Sequence, residues 1–141
     1  MCSPFHLAIP VNDIDAAREF YLNKLGCTEG RSAARWVDFN FFGHQLVAHL
    51  VDGYSAARSH NAVDGDPVPV PHFGVALPVD DFQRLAERLR GQVDFVIEPH
   101  LRFQGQPGEQ WTMFFFDPSG NALEFKAMTN SDNLFAKYRV E

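Results

Sequence analysis

The sequence is poor in cysteine and has no long apolar run. Its 141 residues include two cysteines, Cys2 and Cys27, which are too few for a disulfide framework. No segment approaches the roughly 20 apolar residues that a transmembrane helix needs. The first residues also lack the basic start and apolar stretch of a signal peptide. We therefore expect a cytoplasmic protein without a membrane partner.

Basic residues are scarce as well. Lysine and arginine together number 12, against 18 aspartates and glutamates, so the net charge is −6. Proteins that bind nucleic acid normally show a basic stripe, and we expect no such partner. Phenylalanine is abundant, with 14 residues, and 45% of the chain is apolar. This composition favours a folded domain with a substantial core.

The chain repeats one pattern twice. Residues 10–14 (P-V-N-D-I) match residues 78–82 (P-V-D-D-F). Each match lies between a strand-like run and a helical pattern, and three further strand-like runs follow in each half. Each half is too short for a stable core of its own. The pattern therefore predicts one α+β domain built from two βαβββ modules.

Turn-forming residues set the predicted boundaries. Module one covers residues 4–52, the connector 53–70, module two 71–128 and the C-terminal tail 129–141. The predicted elements of module one are a strand at 5–11, a helix at 12–24, and strands at 27–31, 35–42 and 45–51. Those of module two are a strand at 72–79, a helix at 80–90, and strands at 95–98, 110–116 and 122–127.

Three of these strands carry one polar side chain among small neighbours. Strand residues alternate between two faces, so His6, His72 and Glu124 each point away from the large apolar residues of their strand. Ala8 and Gly74 flank the two histidines on the same face. A core face needs bulky residues because interiors are close-packed, so these faces are typical of a cavity wall. Two imidazoles and a carboxylate can bind a metal ion, although a structural role for each residue stays open.

These features resemble the vicinal oxygen chelate superfamily, which includes glyoxalase I, extradiol dioxygenases, and fosfomycin and bleomycin resistance proteins. The resemblance rests on the duplicated pattern, on His6 and His72, and on the sequence D-P-S-G-N at residues 117–121 ahead of Glu124. It implies a cupped mixed sheet around a metal site, with these three residues as the ligands. It also implies a homodimer and a small substrate that binds the metal through adjacent oxygens. Fe(II) is favoured, and Ni(II), Zn(II) and Mn(II) remain open.

Within that superfamily, two segments look like a group of small single-domain proteins predicted to be extradiol-type dioxygenases. They are F-H-L-A-I-P-V at residues 5–11 and F-G-H-Q-L-V-A-H at residues 42–49. We therefore expect a metal-dependent oxygenase of extradiol type. The alternatives are a glyoxalase-like lyase or isomerase with four metal ligands, and a non-enzymatic binding protein of the bleomycin-resistance kind. Phe114 departs from the larger extradiol enzymes, which have a tyrosine on that strand.

His49 separates the two enzymatic interpretations. By resemblance, glyoxalase-like members use this region for a fourth ligand, whereas extradiol dioxygenases use a histidine there as an acid or base. Histidine suits proton transfer near neutral pH, so we expect His49 to be catalytic, with ligand and structural roles left open. The residues expected to line the substrate pocket are Phe39, Phe114, Phe116, Arg102 and Gln110.

Overall fold

The computed structural model describes residues 2–56 and 59–140, apart from the side chains of Ser59 and His60. These residues form nine strands and two α-helices, so the predicted α+β class is confirmed. By its contacts the chain divides into two compact units. Unit 1 contains the described residues up to 56 together with residues 116–121, and unit 2 contains residues 59–115 and 122–140.

Unit 1 holds a four-stranded mixed sheet. Its strand order is β1-β4-β3-β2, with β1 parallel to β4 and the other neighbours antiparallel. The elements are β1 (His6–Val11), α1 (Ile14–Arg18), β2 (Thr28–Ala33), β3 (Trp36–Phe41) and β4 (His44–Leu50). A π-helical segment, Glu19–Lys24, continues α1, so the predicted helix is confirmed in extent.

The two faces of this sheet differ as the alternation predicted. On β1, Ile9 and Val11 are buried while His6 is exposed. The apolar face packs against the helical segment, where the ring of Phe39 stacks on Tyr21 with centroids 5.2 Å apart. The carboxylate of Asp13 caps the helix start by accepting a bond from the backbone N–H of Ala16, which satisfies an otherwise unpaired donor. The opposite face of β1 carries His6.

Unit 2 repeats the pairing pattern of unit 1. Its elements are β5 (Ser59–Val63), β6 (Asp66–Val70), α2 (Val79–Leu89), β7 (Phe95–Arg102), β8 (Gln110–Phe116) and β9 (Ala122–Met128). Strands β7, β8 and β9 form one sheet. The predicted strand at 72–79 is reduced to two parallel bridges with β9, which join Phe73 to Leu123 and Ala76 to Lys126. As in unit 1, the first extended run of the module lies parallel to its last strand.

At Gly74 that run lies directly against the backbone of β9. The backbone carbonyl of Phe73 accepts a bond of 2.8 Å from the N–H of Glu124. A Cβ added at Gly74 would lie 1.5 Å from the backbone oxygen of Glu124. No side chain fits at this distance, so the pairing that places Glu124 depends on a glycine.

The predicted connector contains a hairpin of two strands. Strands β5 and β6 pair antiparallel around Asp64 and Gly65, which both have positive φ angles. An Asp-Gly pair is a strong signal for a two-residue hairpin turn. Pro67 and Pro69 are compatible with β6 because it lies in a two-stranded sheet, where one edge needs no N–H donor. No helix within the described part of the chain is long and apolar enough to cross a membrane.

Candidate functional site

In unit 2, the carboxylate of Glu124 lies at the centre of a polar cluster. Its Oε1 is 3.2 Å from Nε2 of His72 and 3.7 Å from Nζ of Lys126. Its Oε2 accepts bonds from Oγ1 of Thr112 at 2.6 Å and Nη2 of Arg102 at 2.9 Å. The side chain of Glu124 is only 6% exposed. One oxygen is therefore fixed by neutral and cationic donors, and the other faces the imidazole.

The cluster shifts the pKa of both partners. Burial alone would raise the pKa of Glu124, but the hydrogen bonds and positive charges around it outweigh burial and hold this pKa below its usual value. The hydrogen bond to Glu124 raises the pKa of His72 above its usual value, against the opposing effect of partial burial. The two shifts agree, and both favour a charged pair in the metal-free protein.

The ring of His72 is fixed on its other side by the backbone. Its Nδ1 lies 2.6 Å from the carbonyl oxygen of Pro69. A carbonyl only accepts, so Nδ1 carries the hydrogen and Nε2 is the atom that faces Glu124. The ring also packs edge-on against Phe114, with centroids 5.0 Å apart. Metal-binding histidines almost always donate their second N–H to an oxygen in this way.

The pair of His72 and Glu124 fits two ligands of one metal ion. Bonds from a metal such as zinc to imidazole nitrogen and carboxylate oxygen are about 2.0–2.2 Å, so donor atoms 3.2 Å apart can share an ion. Across residues 2–56 and 59–140, no group of three or more His, Cys, Asp or Glu side chains is close enough to hold a metal. The described residues of the chain thus bring together two of the three predicted ligands.

In unit 1, His6 begins a second polar cluster. Its Nδ1 lies 2.6 Å from Oε1 of Gln45, an acceptor, so this ring also donates from Nδ1 and leaves Nε2 open. The amide nitrogen of Gln45 is 3.5 Å from Oδ2 of Asp38. Nε of Arg31 donates to the same oxygen at 2.9 Å. We call these four residues the His6 chain.

His49 lies on the same face of the sheet as His6 but further along it. The register of β1 and β4 places Gln45 opposite His6 and His49 opposite Pro10. Four strand residues span about 13 Å, and strand side chains stand roughly perpendicular to the sheet. His49 is exposed. This spacing favours a role for His49 other than sharing a metal ion with His6.

Three of the predicted pocket residues lie in unit 2 close to Glu124 or to its partners. Arg102 is buried, binds Glu124 and places its guanidinium 5.5 Å from the ring centroid of Phe114. Gln110 lies opposite Arg102 in the register of β7 and β8. Its buried amide oxygen meets no hydrogen-bond donor in the part of the chain that the structure describes. Arg102 therefore orients the carboxylate, and Gln110 has a free acceptor beside it.

The other two predicted pocket residues lie in unit 1. Phe39 is 1% exposed and belongs to the core, although the cavity described next also borders it. Phe116 is half-buried and ends β8. For these two, packing is the role that the structure describes.

A cavity of about 350 Å³ opens on unit 1 beside the His6 chain. Arg31, Asp38 and Gln45 line it, together with His44 and Asn40. Its volume lies within the range of small-molecule sites. Three members of the His6 chain therefore border a space large enough for a small ligand.

Sequence reasoning gave no role to Thr112, Gln45 or Asp38. Thr112 lies two residues from both Gln110 and Phe114 along β8, so period-two spacing could have placed all three on one face. Asp38 is the single acid in the strand W-V-D-F-N-F, where a buried charge needs a partner. Gln45 carries no such signal, because a polar residue on a strand face is usually solvated.

The D-P-S-G-N turn is an anchor within unit 1. Asp117 accepts a bond of 2.8 Å from the hydroxyl of Tyr21 and bonds of 2.9 Å from the backbone N–H groups of Ser119 and Asn121. Burial raises the pKa of Asp117 even though these bonds oppose the shift. Gly120 has a φ of 86°, a conformation that favours glycine. The described contacts of the turn are structural.

Known proteins resemble the chain over most of its length. The sequence profile described as Glyoxalase/Bleomycin resistance protein/Dioxygenase superfamily matches residues 3–125. The structure of a glyoxalase/bleomycin resistance protein/dioxygenase from Alicyclobacillus acidocaldarius has 35% identity and a TM-score of 0.79, covering 94% of this chain and 96% of that one. No curated protein matches the sequence.

Two more distant structures share the fold. The fosfomycin resistance protein FosX from Listeria monocytogenes has 19% identity and a TM-score of 0.69, covering 95% of this chain and 99% of that one. Lactoylglutathione lyase from Agrobacterium tumefaciens has 18% identity and a TM-score of 0.64, covering 97% and 98%. At these identities the likeness concerns the fold alone.

Proposed function

This chain belongs to the glyoxalase/bleomycin resistance protein/dioxygenase superfamily, and we propose that it is a metal-dependent oxygenase of extradiol dioxygenase type. Its substrate would be a small molecule that binds the metal through two adjacent oxygens. The observation that carries the proposal is the 3.2 Å approach of His72 Nε2 to Glu124 Oε1. Because Nδ1 of His72 is bonded to Pro69, Nε2 is the nitrogen that would bind the metal, with release of the proton that it shares with Glu124.

His6 is the proposed third ligand, because its Nδ1 is bonded in the same way and its Nε2 is left open. Two histidines and one carboxylate with further positions open are the ligand set of non-haem Fe(II) oxygenases. Fe(II) is therefore favoured over Ni(II), Zn(II) or Mn(II). When bound, the ion would act as a Lewis acid toward the two substrate oxygens and, as Fe(II), would supply electrons for reaction with O₂.

The identity of residue 45 favours a metal site with three protein ligands over one with four. The repeat matches Pro10 with Pro78, so His6 corresponds to Gly74, and their strand partners Gln45 and Glu124 correspond as well. An amide is a neutral, weaker ligand than a carboxylate, and the oxygen of Gln45 is already bonded to His6. Unit 1 therefore has no carboxylate at the place of Glu124, and a four-ligand, glyoxalase-like site would have to use His49 instead.

The remaining polar residues would prepare the ligands and move protons. Arg102 and Thr112 hold Oε2 of Glu124, so Oε1 stays directed at His72. The lowered pKa keeps Glu124 ionised, the form that binds cations. We propose that His49 exchanges a proton with the substrate. The cavity beside Gln45 is the proposed approach for that substrate.

The metal content of anaerobically purified protein tests the proposal. We expect about one equivalent of iron in the wild type by elemental mass spectrometry, and loss of that iron in His72→Ala. His100→Ala, in the same unit, is the matched control and should keep the metal. One equivalent of nickel, zinc or manganese would favour the lyase or isomerase. No metal, even after reconstitution, would leave a binding protein.

Oxygen consumption with catechol then tests the reaction type. Extradiol cleavage consumes O₂ and gives a yellow product. We expect His49→Ala to retain iron and lose turnover, because its proposed role is proton transfer. Equal loss of iron and turnover in His49→Ala would instead make it a ligand.

Mixed chains test whether two copies share the site, since we also propose a homodimer. His6→Ala and His72→Ala are each expected to lose metal when purified alone. If one site takes ligands from both copies, mixed dimers of the two variants regain metal in one of their two sites. If each copy holds its own site, the mixture stays metal-free. A cytoplasmic location stays a prediction.

A further inference from the structure

The two candidate histidines are anchored by groups of different kinds. The Nδ1 of His72 donates to a backbone carbonyl, whose position is fixed by the chain. The Nδ1 of His6 donates to the amide of Gln45, a side chain that can rotate. A side-chain amide also has two unlike ends, because its oxygen accepts and its nitrogen donates. If the amide of Gln45 were turned over, it would present a donor to Nδ1.

Asp38 fixes the direction of that amide. A carboxylate accepts hydrogen bonds and cannot donate them, so the end of Gln45 that faces Asp38 is the nitrogen. The oxygen then faces His6. The side chain of Asp38 is 6% exposed, which holds its oxygens in place. Its Oδ1 meets no hydrogen-bond donor in the described residues, so Gln45 and Arg31 are the side chains that hold this carboxylate.

Arg31 is the last member of the His6 chain and provides the charge opposite to that of Asp38. Its Nε lies 2.9 Å from Oδ2, and a buried carboxylate needs such a partner. The guanidinium is itself 76% exposed and lies 5.5 Å from the ring centroid of Trp36. The positive charge therefore stabilises Asp38 at the edge of the sheet, at a distance from His6.

We propose that Gln45, directed by Asp38 and Arg31, is a positioning residue that holds His6 in the Nδ1–H tautomer with Nε2 open. In a neutral imidazole, the hydrogen bond at one nitrogen decides which nitrogen carries the proton. Without an acceptor at Nδ1, the proton is free to occupy Nε2, and that nitrogen can then no longer bind a cation. The consequence for metal binding rests on the proposed function, whereas the tautomer of His6 does not.

The tautomer is measured first, on ¹⁵N-labelled metal-free protein. Long-range ¹H–¹⁵N spectra of the neutral rings distinguish protonated from bare ring nitrogens. We expect the Nδ1–H form of His6 in the wild type and a shift toward Nε2–H in Gln45→Met, which keeps length but removes the acceptor. Gln45→Glu restores an acceptor and should restore Nδ1–H. Gln92→Met, a change at an exposed glutamine of unit 2, should leave His6 unchanged.

Metal affinity is measured second, by calorimetric titration with Zn²⁺. Loss of a group that orients a ligand typically weakens metal binding 10- to 100-fold, and we expect this range for Gln45→Met. Gln45→Glu is left out of this titration because its carboxylate could itself bind Zn²⁺. Asp38→Asn, which keeps the shape but no longer dictates the amide direction, should produce a smaller shift of the same sign in both measurements.

Each outcome separates the inference from the proposed function. An unchanged Nδ1–H form of His6 in Gln45→Met would overturn the inference directly. A changed tautomer with undiminished Zn²⁺ affinity would overturn the positioning role. Absence of Zn²⁺ binding in the wild type would instead contradict the proposed function, and the tautomer result would stand independently of it.

Discussion

His6 and His72 occupy the first extended runs of the two modules, and each donates from Nδ1 to an oxygen 2.6 Å away. In unit 2 this oxygen belongs to the backbone at Pro69. In unit 1 it belongs to Gln45, and Asp38 is needed to direct it. The duplicated fold therefore keeps the orientation of the imidazole while the group that anchors it changes. A backbone anchor needs no further residue, whereas a side-chain anchor recruits its own support.

The strand partners of these runs differ in charge and burial. Glu124 is buried among His72, Arg102 and Lys126, and its counterpart Gln45 is neutral and exposed. A buried carboxylate depends on its cations, and its removal leaves them uncompensated. An exposed amide can be lost with little effect on folding. The two modules therefore couple the candidate ligands to stability to very different degrees.

The largest expected effect is at Gly74, which corresponds to His6 in the repeat but has no side chain. Gly74→Ala places a Cβ against the backbone of Glu124, and the pairing with β9 must separate. We expect a loss of more than about 4 kcal/mol in the free energy of unfolding, measured by urea denaturation. Gly30→Ala on β2 is the matched control. Its Cβ would lie 3.3 Å from the Cβ of Asp38, and a loss below about 1 kcal/mol is expected. Equal losses would contradict the close approach at Gly74.

The next effect tests the contrast between Glu124 and Gln45. Glu124→Ala leaves the buried guanidinium of Arg102 without its carboxylate, so we expect a loss of about 3–5 kcal/mol in the metal-free protein. Gln45→Ala removes an exposed side chain whose contact with the buried carboxylate of Asp38 is long, at 3.5 Å, and the expected loss is below about 1 kcal/mol. Urea denaturation of the two variants measures both. Similar losses would remove the distinction between the modules.

The smallest effect concerns the proton on His72. The hydrogen bond that His72 donates to Glu124 is the largest influence that raises the pKa of His72, so Glu124→Gln should lower this pKa. Titration of the His72 ring by NMR in metal-free protein measures the change. Glu98→Gln, at an exposed carboxylate of β7, is the control and should leave the pKa of His72 in place. If the pKa of His72 does not fall in Glu124→Gln, the hydrogen bond between the two side chains is too weak to raise that pKa.

Periodicity predicted the elements that these experiments probe, because burial alternates along a strand. It predicted that His6 lies on the other face of β1 from Ile9 and Val11, and it predicted β8 with its observed bounds. The family confirmed by the sequence profile also followed from the repeat and the D-P-S-G-N turn. Alternation along a strand and the turn motif are local signals, and the repeat is a direct match of residues, so all three can be read from the sequence.

Contacts between distant strands were beyond the reach of the sequence. The bond from Thr112 to Glu124 and the bond from His6 to Gln45 depend on strand register, and a hydrophobic pattern fixes only the face of a strand on which a residue lies. The hairpin at Asp64-Gly65 was missed for another reason. Its prolines are typical of a connector, although an edge strand also tolerates them.

The D-P-S-G-N turn also bears on how the chain could be divided. Unit 1 is discontinuous in sequence, because residues 116–121 belong to it. A fragment that ends at residue 56 would lack Asp117, the acceptor of the fully buried Tyr21 hydroxyl, and a buried hydroxyl without a partner is destabilising. It would also lack Asn121, which donates to the carbonyl of Pro10. During synthesis, the buried polar groups of the N-terminal sheet therefore gain these partners only after some 60 further residues have been made. A peptide that spans the turn would be the natural way to complement the fragment.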